Sequence, residues 1–184
     1  MEHTALDQIK ERLASAPPPT NQLVAITARP ETNQRIRYQS CELTCEAGLP
    51  QDRWIKHSWV RLPDGSSDPA VQISLISTAL IRAIEPDSSR WPLTGDNLIV
   101  DTDLSFNALP IGSHLKIGEA ILEMTQVPHT GCAKFKERFG EAAFIIVNAT
   151  AYADQALRGR HAKVIQAGTI TLGDLVEKHT ATSI

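Results

Sequence analysis

Residues 114–127, "HLKIGEAILEMTQV", carry two β-like runs interrupted only by the short "GEA" break at residues 118–120. A glycine-led break of this length between such runs reads as the turn of a β-hairpin. Further along, "QAGT" at residues 166–169 separates "AKVI" from "ITLG" in the same way and reads as a second hairpin. Two hairpins close to the C-terminus imply largely antiparallel pairing. Upstream, "LVAITAR" (23–29), "RIRYQSCELT" (35–44) and "NLIV" (97–100) are further short runs of β character. They are bounded by Gly, Pro, Asp and Asn, the spacing of a barrel or sandwich.

Helical signals are few. Leu6, Ile9 and Leu13 recur at helical spacing, and the run stops at Pro17, Pro18 and Pro19, predicting a short amphipathic helix followed by a rigid linker. The expected division is therefore residues 1–21 as N-terminal helix and Pro-rich linker, and residues 22–184 as one β domain. "SLISTALIRAIEP" places Leu75, Ala79, Leu80 and Ile84 near a period of 3.6, with Ser74 as the expected cap and Pro86 as the stop. "CAKFKERFGEAAFIIVNATAYADQAL" is helical at its ends, while "AFIIV" within it reads as strand or buried helix. "LPDGSSDPA", residues 62–70, is an expected exposed loop.

Across 184 residues, 18 Lys and Arg against 21 Asp and Glu leave a net charge of -3, so no general basic field exists to hold nucleic acid or an anionic membrane. Any anion site must be local. The first residues lack the apolar core of a signal peptide, and no stretch approaches the roughly 20 apolar residues of a membrane-spanning helix. A cytoplasmic location is the expectation.

The chain has three cysteines, too few for a disulfide framework. Cys41 and Cys45, if both lie on one strand, share a face with Cα atoms roughly 13 Å apart, beyond bridging distance. A metal reading of that pair needs further ligands that no second cysteine pair supplies. Cys132 stands in "VPHTGCAKF", residues 127–135, between histidine and lysine. It reads either as a small residue in a strand-to-helix connection or as a chemical thiol. Gly131 beside it leaves room for a ligand or backbone near the sulfur.

"AGLPQDRW", "QISLI", "GDNLIVDTDLSFNALPIGSHLKIGEAILEMTQVPHTGCAKF" and "LRGRHAKVIQAGTITLGDLV" resemble, in order and spacing, the small stand-alone members of the MOSC family. That family takes its name from the C-terminal domain of molybdenum cofactor sulfurase, and the resemblance covers residues 22–176. It implies a mainly β fold with a few helices: a closed, bent, largely antiparallel β-barrel. It also implies sulfur or molybdenum chemistry centred on Cys132. The thiol is expected to carry sulfur as a persulfide, in a sulfur carrier or transferase linked to the molybdenum cofactor. In an alternative use it ligates molybdenum in a reductase of N-hydroxylated compounds, and a third reading is a non-catalytic molybdopterin-binding module. Catalysis and metal ligation both require the thiolate, the nucleophile and soft ligand, and Lys134, Lys136, Arg138 and His129 lie within a few residues to favour it.

A molybdopterin phosphate needs fixed donors and positive charge. The candidates are Arg53, Asn97, Lys134, Arg138, Arg158 and Arg160, with His161 and His114 given less weight. The pyridoxal-phosphate desulfurase domain of the long sulfurases has no counterpart here, so no pyridoxal phosphate is expected. "GDN" replaces the Arg-Pro-Asn segment of the amidoxime-reducing relatives, leaving Asn97 alone in common. Expected partners are a cysteine desulfurase or a molybdoenzyme, and an electron-transfer protein in the reductase case.

Overall fold

The computed structural model describes residues 4–180; residues 1–3 and 181–184 of the two expected segments lie outside the described residues. The described residues form ten strands: β1 (Gln22–Ala28), β2 (Ile36–Tyr38), β3 (Ser40–Leu43), β4 (Ile73–Ser77), β5 (Leu98–Asp101), β6 (His114–Ile117), β7 (Ala120–Met124), β8 (Arg160–Gln166), β9 (Gly168–Thr171) and β10 (Val176–His179). The α-helices are α1 (Ala5–Ala14), α2 (Trp54–His57), α3 (Thr78–Ile84) and α4 (Ala133–Asn148). The chain is mainly β, with a curled sheet and a few helices, of which α1, α3 and α4 share one core against it.

Eight strands form that sheet in the order β10-β6-β7-β8-β4-β5-β1-β2, antiparallel throughout except for the parallel β4–β5 pair. The β6–β7 hairpin turns at Gly118 and Glu119, with Ile117 opposite Ala120. Curling returns the chain before β10 to the start of β1, where Gln22 bridges Leu175 and the Val176 N–H donates to Asn21 O at 2.8 Å. The expected closed barrel is corrected here to a curled sheet with a short seam. Its cause is competition for one edge, because β2 occupies β1 from Ile26 to Ala28 and leaves only the first residues of β1 free.

Central strands are apolar on both faces because each faces a different core. Leu98 and Val100 of β5 enter the concave interior of the curled sheet with Leu75 and Met124, whereas Ile99 joins Ile76, Leu80 and Phe135 under the helices. Alternate residues on a strand point to opposite faces, so one strand supplies both layers. Helix α1 packs on α3 and α4 through Ile9, flanked by Leu6 and Leu13. A reciprocal cap between Thr4 and Asp7 starts it.

Three local expectations differ from the structure. "QAGT" is not a hairpin: β8 pairs with β4 and β7, and β9 leaves the sheet to pair with β3, Cys41 opposite Ile170. The corner instead packs on the β6–β7 turn, where the Glu119 N–H donates to Thr169 O at 3.0 Å and a Cβ on Gly168 would lie 2.5 Å from the Glu119 carbonyl carbon. "SLIS" is strand rather than helix, since β4 is paired on both edges, and the cap of α3 is Ser77, whose hydroxyl accepts from the Ala79 N–H. Cys45 lies beyond the end of β3, in a turn closed between Thr44 and Gly48, so it shares no strand face with Cys41. All three cysteines are free.

"AFIIV" is helix, part of α4, which changes direction at Gly140 (φ 86°). No helix among the described residues is long and apolar enough to cross a membrane.

Candidate functional site

Strand-end loops of the sheet and the start of α4 converge on a cavity of about 420 Å³. The segment after β1 contributes Arg29 and Arg35, and the α2 segment contributes Arg53 and Trp59. Thr94 and Gly95 enter from the approach to β5, and His129 and Cys132 from the β7–α4 connection. Lys134 and Arg138 come from α4, and Arg158 and His161 from the start of β8. Cys132 is the N-cap residue of α4, extended in backbone conformation and exposed at the cavity.

Of the residues singled out in the sequence, Cys132, Arg53, Lys134, Arg138 and Arg158 line this cavity together, as does His161. Asn97 and Arg160 do not. Asn97 is fully buried beneath it, donating to Asp52 Oδ2 at 2.9 Å and accepting from the Arg29 guanidinium at 3.0 Å and the Ser74 N–H at 3.0 Å. Arg160 donates to the carbonyls of Leu104 and Leu109 and lies 3.8 Å from the Phe106 ring centroid, which makes it a clamp on the 104–109 loop. Gly159 between the two arginines (φ 102°) presses so close to the Leu75 carbonyl that no Cβ fits. His114 sits on β6, 3.9 Å from Glu123. At Gly131 the close approach is to α4: a Cβ there would lie 2.8 Å from both Asn148 Nδ2 and Val147 Cγ2.

The arginines fall into two electrostatic groups. Arg29 forms a fork on the buried Asp52, with Nε 2.9 Å and Nη2 3.0 Å from its two oxygens. Burial alone would raise the Asp52 pKa; the bonds and charge of Arg29 outweigh it and hold the carboxyl below its ordinary value. Arg158 is likewise paired with the fully buried Asp96 at 2.8 Å and rests 4.8 Å over the Phe135 ring.

Arg35, Arg53 and Arg138 have only neutral oxygen partners. Arg35 donates to the carbonyls of Pro92 and Gln34, Arg53 to the Thr32 hydroxyl, and Arg138 to Leu93 O and the Asn33 side chain. Among the described residues none of the three has a carboxylate partner. Burial first, and then the charges of Arg138, Arg29 and Arg53, push the Arg35 pKa below its ordinary value. A pocket holding this surplus of planar, bidentate donors suits a phosphate or similar anion.

Beside Cys132 in sequence, His129 stacks at 4.3 Å against His161, and the exposed Trp59 lies 6.2 Å from His161. Three buried polar atoms on the Asp96 side of the cavity have no hydrogen-bond partner among the described residues: Asp96 Oδ1, His129 Nδ1 and Arg158 Nε. Free donors and acceptors in a cationic pocket with an exposed thiol fit a phosphate-bearing cofactor. Among the described residues no group of three or more His, Cys, Asp or Glu could hold a metal ion.

Arg29, Arg35 and Trp59 went unnoticed in the sequence, and Asp96 was seen only within the "GDN" departure. The one available signal was position: Arg29 and Arg35 flank the polar loop that leaves a strand end, and barrel loops of that kind gather at a mouth.

A family model described as the MOSC domain matches residues 65–177, more than half of the chain. No curated protein matches it in sequence. Among solved structures, the YuaD protein from Bacillus subtilis is 17% identical, with a TM-score of 0.62 over 88% of this chain and 96% of its own. YiiM from Escherichia coli is 18% identical, with a TM-score of 0.55 over 89% of this chain and 72% of its own. At these identities the likeness is one of fold.

Proposed function

Because the chain belongs to the MOSC domain family, which is associated with molybdenum-cofactor function, we propose that it is a sulfur carrier serving that cofactor, with Cys132 as the persulfide-bearing thiol. The observation that supports this reading is the grouping of Arg35, Arg53 and Arg138, without carboxylate partners, around the cavity that Cys132 lines. These guanidiniums hold the cofactor phosphate, and Arg29 and Arg158, fixed by Asp52 and Asp96, stiffen the wall between them. The cofactor, when bound, supplies a molybdenum-dithiolene centre as the acceptor for sulfur.

The loading step needs no redox partner. The Cys132 thiolate attacks the outer sulfur of a donor persulfide, the class of intermediate a cysteine desulfurase forms. The sulfur–sulfur bond of the donor breaks, and its cysteine leaves with the electron pair as a thiolate. Cys132 then carries the transferred sulfur. Its exposure at the cavity allows a protein donor to reach it.

A second reading has Cys132 as the single protein ligand to molybdenum in a reductase of N-hydroxylated compounds, with electrons from a separate partner. The lack of any other ligand cluster among the described residues favours a metal brought in by the cofactor.

Protein purified from a host that makes molybdopterin separates the two by metal analysis and intact mass before and after a reductant. The carrier reading expects a reducible adduct of one sulfur atom that Cys132→Ser abolishes. Stoichiometric molybdenum without the adduct moves the assignment to the reductase. Neither signal, in a folded protein, sinks both.

A further inference from the structure

We propose that His129 is the proton-transfer residue of this cavity and Asp96 its positioning residue, and that the pair takes up a proton when an anion binds. The proposal rests on the reading of the cavity as an anion pocket. Its basis is a pair of buried, unpartnered atoms that face each other, His129 Nδ1 and Asp96 Oδ1, 3.6 Å apart.

Asp96 is already committed on one side. Its Oδ2 accepts from Arg158 Nη1 at 2.8 Å, and Arg158 Nη2 continues to Thr94 O at 3.1 Å, so the carboxylate plane is fixed. The remaining oxygen is aimed at the imidazole. At 3.6 Å the separation is just beyond a hydrogen bond. A buried acceptor and a ring nitrogen kept this close without partners are the arrangement that a protonated imidazole would satisfy, with Nδ1–H on Asp96 and Nε2–H free for a ligand.

The surroundings explain why the ring waits for an anion. Burial, then the charges of Arg158, His161 and Arg29, hold His129 well below its ordinary pKa. The groups that face it are thus Arg158 and His161 from β8, Arg29 from the segment after β1, and Asp96 ahead of β5, with the Cys132 thiol on the same cavity. Only Asp96 is negative. A bound phosphate adds negative charge to this set and offsets the arginines, so the imidazolium becomes favourable and draws its proton from solvent. In the sulfur loading step the donor cysteine leaves as a thiolate that needs a proton, and His129 Nε2–H supplies it. The neutral ring then recovers its proton from water.

Nitrogen-15 NMR of the full chain labelled at histidine and arginine tests both halves, with inorganic phosphate as the probe. In the free protein the neutral His129 ring is expected to carry its proton on Nδ1, and Asp96→Asn to move it toward Nε2. Saturating phosphate is expected to raise the His129 pKa, and His129→Gln to remove the corresponding proton uptake seen by calorimetry in buffers of different ionisation enthalpy. A free protein with the proton on Nε2 overturns the pairing with Asp96, whatever the ligand. Phosphate that shifts the Arg35, Arg53 and Arg138 Nε signals but leaves the His129 pKa unchanged overturns the proton coupling and leaves the anion pocket standing. No phosphate effect on those arginines overturns the anion pocket and the coupling together, and the parent tautomer still decides the pairing. Both decisive measurements use the parent chain, so a variant that fails to fold does not rescue the proposal.

Discussion

The Asn97 side-chain amide donates to Asp52 Oδ2 at 2.9 Å, entirely below the floor of the cavity. Its oxygen meanwhile accepts from Arg29 and from both the N–H and the hydroxyl of Ser74. One neutral side chain thereby ties the start of β5 to β4 and to the buried Arg29–Asp52 ion pair. Truncation leaves several polar groups unpaired in a dry site, a loss that exceeds that of the contact itself. Asn97→Ala is expected to lower stability by about 2–4 kcal/mol, read from the urea midpoint. It should also weaken phosphate binding, because Arg29 loses its orientation. Unchanged stability would mean that Asn97 does not organise the floor.

How far the chain could be read follows from whether each contact is local. The β6–β7 hairpin was legible because its partners are separated only by Gly118 and Glu119. The β9 pairing was not, since its partner is β3, far upstream in the sequence, and no adjacent residue records that choice. "SLIS" carried helical spacing because β4 is buried on both faces and runs straight into α3, so apolar residues accumulate without strand alternation. At the site, Arg53, Lys134, Arg138 and Arg158 were within reach because they stand beside recognisable motifs. Asn97 and Arg160 stood beside them too, yet both are spent on partners inside the protein, Asp52 and Ser74 for Asn97 and the Leu104 and Leu109 carbonyls for Arg160, which the fold brings from far along the chain. Asp96 was seen only as a departure from a motif, although it is the carboxylate that holds Arg158.

Stability should fall on mild acidification before any carboxylate is titrated. Burial, above all, lowers the pKa of both His129 and His161, so the folded chain keeps these rings neutral below the ordinary histidine value. The unfolded chain binds protons there from about pH 6.5 downward. With more protons bound unfolded than folded, stability rises with pH in this window and is lost as pH falls, by about 1.4 kcal/mol per pH unit for each ring at most. Asp52 acts lower: its depressed pKa gives stability that is present above about pH 4 and disappears as pH falls through its folded value. Urea midpoints between pH 7.5 and pH 5 should therefore slope, and His129→Asn should flatten the slope. A flat profile in the parent would show that the two rings are not held neutral.

The three thiols should separate by reagent charge as well as by rate. Cys41 is half-buried on β3, and burial pushes its pKa up to about 11, so it should resist alkylation at neutral pH. Cys45 and Cys132 are both exposed, which makes neutral iodoacetamide a poor discriminator by access alone. Their surroundings differ. Cys132 lines the cavity of Arg35, Arg53 and Arg138, whereas Cys45 occupies a turn followed directly by Glu46. An anionic reagent is concentrated by the first setting and not by the second. The ratio of iodoacetate to iodoacetamide rates, measured by peptide mass spectrometry, should be several-fold higher at Cys132 than at Cys45 at low ionic strength. It should fall toward unity as salt screens the arginines. Replacing Arg35, Arg53 and Arg138 by Gln should reduce the ratio at Cys132 alone, while Arg160→Gln, which alters the 104–109 clamp, should leave it unchanged. Equal ratios at the two cysteines would mean that the uncompensated guanidiniums do not act on the thiol, and the sulfur-carrier assignment would lose the electrostatic part of its support.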